Sequence, residues 1–457
     1  MGKRRLAQRR RAAWPAVLAA CGACSFRIGA GGNGTDDAGG DATGDATDDA
    51  TGDGSVPIAS CAPLQAPVAP VAVADVPSLR AALMTAAPNT TITLADGTYD
   101  LSASVNPILI ATPGLTLRSA SGAPDKVVIT GARVASPLVV VRASNVTLAS
   151  VTLTAAPGPA LFVDPTVAAN VTGTTVYDVT FLDNDGPAIR IRPFNGATTG
   201  PFADDGKIAC SRFVITPTGG ADTCTPPTLG IAADAVRGWT VRDNRFERLS
   251  CATTVRRTVA FRAGSRDTRL SGNVFLGSAM NIMLGTTGAT SRTYADAPAL
   301  GCALTPDHRG GVVCNNVIVG LGLPPIAANT DFEEGIALWN ACDPWVLHNT
   351  IVSPAAGETY HDIEYRFAGT IAHLANNLLF QAPASRDGGQ ADAAYLASNA
   401  LYASAADFVD ASGGDLHLSA TAAPPAGASI AGLGLCDVDA DGKPRSLAAP
   451  TVGAFER

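Results

Sequence analysis

Five short segments repeat one pattern along the second half of this chain: Asn244-Arg245-Phe246, Asn273-Val274-Phe275, Asn316-Val317-Ile318, Asn349-Thr350-Ile351 and Asn377-Leu378-Leu379. Each sets an asparagine just ahead of alternating apolar residues, and the asparagines stand 29, 43, 33 and 28 residues apart. An irregular period of this length is the mark of a solenoid, in which each unit buries its apolar face only against the next. Charged residues make up 16% of the chain, while small and β-branched residues abound. That balance suits short strands and tight turns rather than long amphipathic helices. A chain of 457 residues would ordinarily divide into two or three domains, but a solenoid grows by adding coils.

Lys3, Arg4, Arg5, Arg9, Arg10 and Arg11 form a basic start, followed by a short apolar stretch from Ala12 to Ala20. Leu18-Ala19-Ala20-Cys21 resembles the bacterial lipobox, which implies lipid on Cys21. An ordinary secretory signal with a chance cysteine is the other reading. Cleavage before Cys21 removes six basic and no acidic residues and takes the net charge from -8 to -14. Residues 1–20 therefore read as a signal peptide and 21–64 as a lipidated cysteine with an acidic Gly/Asp/Thr-rich spacer. Such a spacer repels itself and cannot bury a core. Residues 65–457 are the expected solenoid domain. No later apolar run is long enough to span a bilayer, so attachment to the outer membrane or another part of the cell envelope would be through lipid. The acidic balance disfavours nucleic acid. The protein is expected to be a monomer.

Cysteines 61, 210, 224, 251, 302, 314, 342 and 436 lie beyond the spacer. An even number in an exported chain favours disulfides, and close spacing makes Cys210–Cys224 and Cys302–Cys314 the expected pairs. None has zinc-site spacing.

After a Pro-rich connection, Ser78 is placed to cap a short helix with an apolar face of Leu79, Ala82, Leu83 and Ala86. Thr91-Ile92-Thr93-Leu94 then gives a strand, and Asp96-Gly97 a turn into Thr98-Tyr99. This succession resembles the N-terminal cap of right-handed parallel β-helices of the pectate-lyase-like type, and implies that fold with a short capping helix. The asparagines align the later coils. One strand precedes each asparagine, and another recurs as Ile189–Ile191, Val259–Phe261, Ile282–Leu284, Ile336–Leu338 and Ile363–Tyr365. Three Gly-, Pro-, Thr- and Asp-rich stretches, 193–235, 286–311 and 320–332, interrupt the coils and are expected to wall a groove. Asp437-Val438-Asp439-Ala440-Asp441-Gly442 is not an EF-hand, because Ala448 stands where the bidentate glutamate is required. The run to Glu456 resembles the closing element of secreted bacterial β-helix proteins.

If the apolar residues of the second strand set face inward, Arg190, Ala260, Met283, Ala337 and Glu364 face outward. Arg192, Arg262, Gly285, Trp339 and Arg366 follow just beyond. Arg190, Arg192 and Arg262 would bind the carboxylates of an acidic polysaccharide, unless each pairs with a local Asp or Glu. Trp339, His348 and His361 join them as candidate sugar contacts. The densest ionisable group is Asp331, Glu333, Glu334, His361, Asp362, Glu364, Arg366 and Arg386. A uronic-acid lyase needs a cation to neutralise a carboxylate and a base to remove the neighbouring proton. Arg366 or Arg386 would serve, with calcium on Asp331 and Glu334 as a candidate ion. A glycoside hydrolase needs two carboxyl groups, which Glu364 with Glu333 or Glu334 would supply.

His348-Asn349-Thr350, Ile363-Glu364-Tyr365-Arg366-Phe367, Asn376-Asn377-Leu378 and Arg386-Asp387-Gly388 together resemble a pattern recurring in exported bacterial β-helix proteins, and imply no settled activity. Asn329-Thr330-Asp331 resembles the first polygalacturonase motif, but that family's other motifs are missing. Two readings follow: a surface lipoprotein that binds, and as an enzyme would cleave, an acidic polysaccharide; or a non-catalytic envelope or adhesion protein whose β-helix is a rigid scaffold.

Overall fold

A computed structural model describes residues 61–217, 227–251, 254–287, 292–296, 302, 305–321, 332–354, 359–402, 404–446 and 448–457. The chain winds into a right-handed parallel β-helix, the hand that parallel crossovers almost always take. Each coil gives one short strand to each of three sheets. In the first complete coil these are Thr91–Leu94 in sheet A, Gly97–Asp100 in sheet B and Ile108–Ile110 in sheet C. The next coil adds Thr116–Ser119, Val127–Thr130 and Val139–Val141 in parallel register on the same three sheets. A three-residue strand makes too few hydrogen bonds to stand alone. Stacking pairs it on both edges and leaves unpaired backbone only at the two ends.

The core is the stack of inward side chains. Phe181, Phe213, Phe246 and Phe275 lie on successive rungs of sheet B with ring centroids 4.7, 4.5 and 4.6 Å apart, close to the strand spacing itself. Ile189, Ile231, Val259, Ile282, Ile336 and Ile363 form the matching column of sheet C, all fully buried. Filling each level at about 25 cal/mol per Å² of buried apolar area is the main stabilising term.

The asparagines stand at the turn from sheet A to sheet B and form a continuous hydrogen-bonded ladder. The residue ahead of each takes a left-handed conformation: Asp243, Gly272, Asn315, His348 and Asn376. These are types that tolerate positive φ comparatively well. Asn316 shows the pattern. Its Oδ1 accepts from the backbone and side-chain amides of Asn273, at 3.1 and 2.9 Å. Its Nδ2 donates to Asn349 Oδ1 at 2.9 Å and to Leu270 O at 3.0 Å in the preceding coil. One buried side chain thus joins three coils. The ladder runs further than the repeat suggests: Asn377 Nδ2 donates to Asn399 Oδ1, and Asn244 Oδ1 accepts from Ser211 N.

At the N-terminal end the helix Val76–Thr85 covers the first coil. Its N-cap is Asp75, not Ser78. Ser78 is the third helical residue and completes a reciprocal capping box by accepting from the Asp75 backbone. Leu79 is buried, with Ala82, Leu83 and Ala86 packed beside it. Among the described residues no helix is long and apolar enough to cross a membrane.

The expected close cysteine pairs do not form. Cys210 bonds Cys61, Cys302 bonds Cys342 and Cys314 bonds Cys436, while Cys224 lies outside the described residues. Spacing along the chain misleads in a solenoid, because residues a coil or more apart become neighbours. Disulfides persist in oxidising compartments, which fits an exported chain.

The last residues fold back along the flank. Arg445 is buried and donates to Asn315 Oδ1 and to Gly453 O and Ala454 O, while Gly453 N donates to Asn376 O. Asp439 spends its carboxylate on the backbone amides of Asp441, Lys443 and Glu456, an arrangement of a turn rather than of an ion site.

Replacing Asn316 with alanine strips partners from both neighbouring asparagines, and should destabilise the chain by roughly 2–5 kcal/mol. Asn399→Ala, at the ladder's end, should cost distinctly less. Guanidinium unfolding of both variants checks this; equal losses would deny the ladder its cooperative role.

Candidate functional site

The outward face of sheet C holds most of the candidate site residues. Its last rungs are Arg257–Arg262, Met280–Gly285, Phe332–Trp339, Thr359–Arg366 and Ala384–Arg386. Register fixes three columns. Arg257, Met280, Glu334 and His361 form the first, and Ala260, Met283, Ala337 and Glu364 the second. Gly285, Trp339, Arg366 and Arg386 form the third.

Glu364 is fully buried, and both its oxygens are engaged. Oε2 accepts from Trp339 Nε1 at 2.6 Å, and Oε1 from Arg386 Nη1 at 3.0 Å. Arg386 is about one-third exposed, with side-chain accessibility of 32%, and Glu364 orients its guanidinium. Arg366 donates to Asp387 at 2.6 Å, and its guanidinium lies over the Trp339 and Phe367 rings. That contact fixes the indole that in turn holds Glu364.

Glu334 is buried, and its Oε2 has no hydrogen-bond partner among the described residues. Burial, with Glu333 and Glu364 close by, drives its carboxyl well above the ordinary range. Burial raises Glu333 too, reinforced by Glu364 and opposed by Arg257 and Arg386. His361 is pushed down by burial and by Arg386, although Glu364 pulls the other way. Two carboxyls shifted toward their acid form and an imidazole shifted toward its neutral form thus share one face with two arginines. Arg257 is itself mostly buried, and its Nε has no partner.

Some expected site residues stand elsewhere. His348 is not a sugar contact: it occupies a left-handed turn position of the asparagine ladder, is fully buried, and hydrogen-bonds Asn376. Asp362 points inward, where its Oδ2 accepts from the Phe380 and Gln381 amides. Arg190 and Arg262 flank Asp234 and pair with it. Arg192 lies over Phe162. All three are several rungs from Glu364. Asp331 and Cys21 lie outside the described residues. Arg257 joins the cluster although no motif announced it. Simple alternation gave no signal for it: Arg257, Glu334 and His361 each stand two residues ahead of an inward aliphatic residue, where a strict period of two would turn them inward.

Among the described residues no three His, Cys, Asp or Glu side chains converge as metal ligands. Glu334 is the one candidate calcium ligand among the described residues, since Asp331 lies outside them.

No family model and no curated protein matches the chain. Solved structures similar to it are parallel β-helix lyases. The pectate lyase Pel9A matches at 15% identity and TM-score 0.44, over 82% of this chain and 90% of that one. The PL6 family alginate lyase AlyGC matches at 13% identity and TM-score 0.41, over 68% of this chain but only 44% of that longer one. An alginate lyase from Paenibacillus sp. str. FPU-7 matches at 15% identity and TM-score 0.34, over 71% and 99%. The parallel β-helix itself stands on the strand pairing of this chain. At such identities no residue's role follows from the likeness.

Glu334 gives a stability signature. Its carboxyl is raised on folding, so the stability it contributes is full below about pH 4.5 and is lost as pH rises through the folded value. Glu334→Gln should remove that slope, gaining on the wild type by up to about 1.4 kcal/mol per pH unit across the window. Denaturant unfolding at several pH values measures it; parallel curves would place Glu334 in water.

Proposed function

We propose that the protein binds an acidic polysaccharide along sheet C and cleaves it by β-elimination at the Glu333–Glu334–His361–Arg386 cluster. The observation that carries this reading is the buried Glu334, whose Oε2 has no partner among the described residues, held beside Glu333 on a face that also presents Arg386 and a His361 biased by burial toward its neutral form. Arg386 receives the uronate carboxylate and offsets the charge that grows as the adjacent carbon loses its proton. His361 takes that proton. The electron pair forms the ring double bond, the bond to the glycosidic oxygen breaks, and Glu333 or Glu334 supplies the proton to that oxygen. Glu364 has both oxygens committed, so it positions Arg386 and does not attack the sugar. This favours elimination over a two-carboxylate hydrolysis. No step is routed through calcium; an ion on Asp331 and Glu334 enters as an arm of the assay.

The test is incubation of the mature chain with uronate polysaccharides, with and without calcium or a chelator. Elimination gives a rise in ultraviolet absorbance from the unsaturated product. New reducing ends without absorbance would point to hydrolysis, and neither signal would leave the scaffold reading. Arg386→Ala should lose about 10²–10³-fold in rate, and His361→Gln about 10²–10⁴-fold. The pH profile should be bell-shaped. His361 keeps its base form below its usual 6.5, and the glutamates keep their acid form above their usual 4.5.

We place the chain in the cell envelope, exported and anchored through lipid on Cys21. Cys21→Ala should move it from the membrane to the soluble fraction of fractionated cells; unchanged partitioning would refute the anchor.

A further inference from the structure

The same face carries a second concentration of charge well before Glu364. On the strands Val139–Val141, Leu161–Val163, Ile189–Ile191 and Thr228–Asp234, the outward column reads Val140, Phe162, Arg190 and Ala232. One residue past the inward aliphatics stand Arg142, Asp164, Arg192 and Asp234, and Asp234 pairs in register with Arg262. Four arginines therefore meet two aspartates, on a chain whose overall charge is -8.

The aspartates are already engaged. Asp164 accepts from Arg142 at 2.8 Å, and Asp234 is shared by Arg190 and Arg262. Arg192 lies between these paired carboxylates and has none of its own among the described residues. Its guanidinium rests on the Phe162 ring, 4.8 Å from the centroid, and its Nε is buried without a partner. A ring-supported guanidinium is an oriented, weakly hydrated receptor for a planar anion, and two carboxylates committed elsewhere leave it available.

From the Arg192 strand to the Glu364 strand the sheet advances five rungs, about 24 Å at ~4.8 Å each. The central column between them is small or apolar: Ala232, Ala260, Met283 and Ala337. A pyranose residue in an extended chain advances by a length similar to one rung. We infer that Arg192 on Phe162 is a distal subsite for a uronate carboxylate, and that the ligand is an extended polyuronate lying lengthwise over about six residues. The subsite rests on the polysaccharide reading above, which it deepens by setting the length and charge of the chain recognised.

The probes are homogeneous oligouronates from disaccharide to decasaccharide. Binding is measured by calorimetry on the full chain carrying His361→Gln, so that no probe is cut. Affinity should rise sharply as the probe reaches about six residues. Adding Arg192→Gln should weaken the long probes about tenfold and leave the short ones unchanged. Phe162→Ala should reproduce that loss, and Arg192→Lys should give part of it. If the glutamine variant melts below its parent, the lysine variant supplies the comparison. Equal length profiles with and without Arg192, or no binding by any probe, overturn the subsite. Cleavage by the wild type of short probes, with no Arg192 effect at any length, overturns the subsite and leaves the catalytic reading. Loss of the long-chain gain in Arg192→Gln, with no cleavage by the wild type, overturns the catalytic reading and leaves the subsite.

Discussion

One side-chain amide, repeated, is what the rest of the molecule depends on. A coil of a parallel β-helix has little to hold it in register with its neighbours except backbone pairing, which is tolerant of slippage where strands have three residues. Each buried asparagine removes that tolerance. Its carboxamide satisfies amide donors of the coil before it and donates both backward and forward, so a one-residue slip would orphan several buried polar groups together. The stacked phenylalanines of sheet B begin just beyond the same turn. Polar register and apolar filling therefore enforce each other.

That coupling explains what the sequence could and could not reveal. The coils were legible because both signals, asparagine and alternating aliphatics, are local and repeat. Asn399 was missed because Ala400-Leu401 after it is too short to read as a strand. Ser211 was missed because it fills the rung above Asn244 with a different side chain. Disulfide pairing was illegible for a deeper reason. In a solenoid the distance in space depends on coil number, and the irregular loops hide that number from anyone counting residues.

The site was half legible. Glu333, Glu334, His361, Glu364 and Arg386 fall together because all lie on or beside neighbouring rungs of one sheet, which register from the asparagines already implied. His348 was misread because a histidine ahead of an asparagine reads as chemistry, whereas here its role is a left-handed turn. The arginines divide by what lies beside them. Arg190 and Arg262 are taken up by Asp234, while Arg386 is oriented by Glu364 and partly exposed. Residue type nominated them all, and only the carboxylate beside each decides what it is free to do.

The Cys61–Cys210 disulfide has a mechanical consequence. Residues 62–65 run beside sheet A, where Tyr177 bonds Ala62 O and Arg118 bonds Gln65 O, before the chain enters its first strand at Val71. The covalent link meets the solenoid beside the sixth strand of sheet A. Tension arriving along the chain from before Cys61 would therefore pass to Cys210 in the interior of the stack, and the terminal helix and first coils would carry none of it. A solenoid held at its end can be unzipped rung by rung. Held at Cys210, it must be sheared across many rungs at once, which is the direction in which stacked short strands resist most.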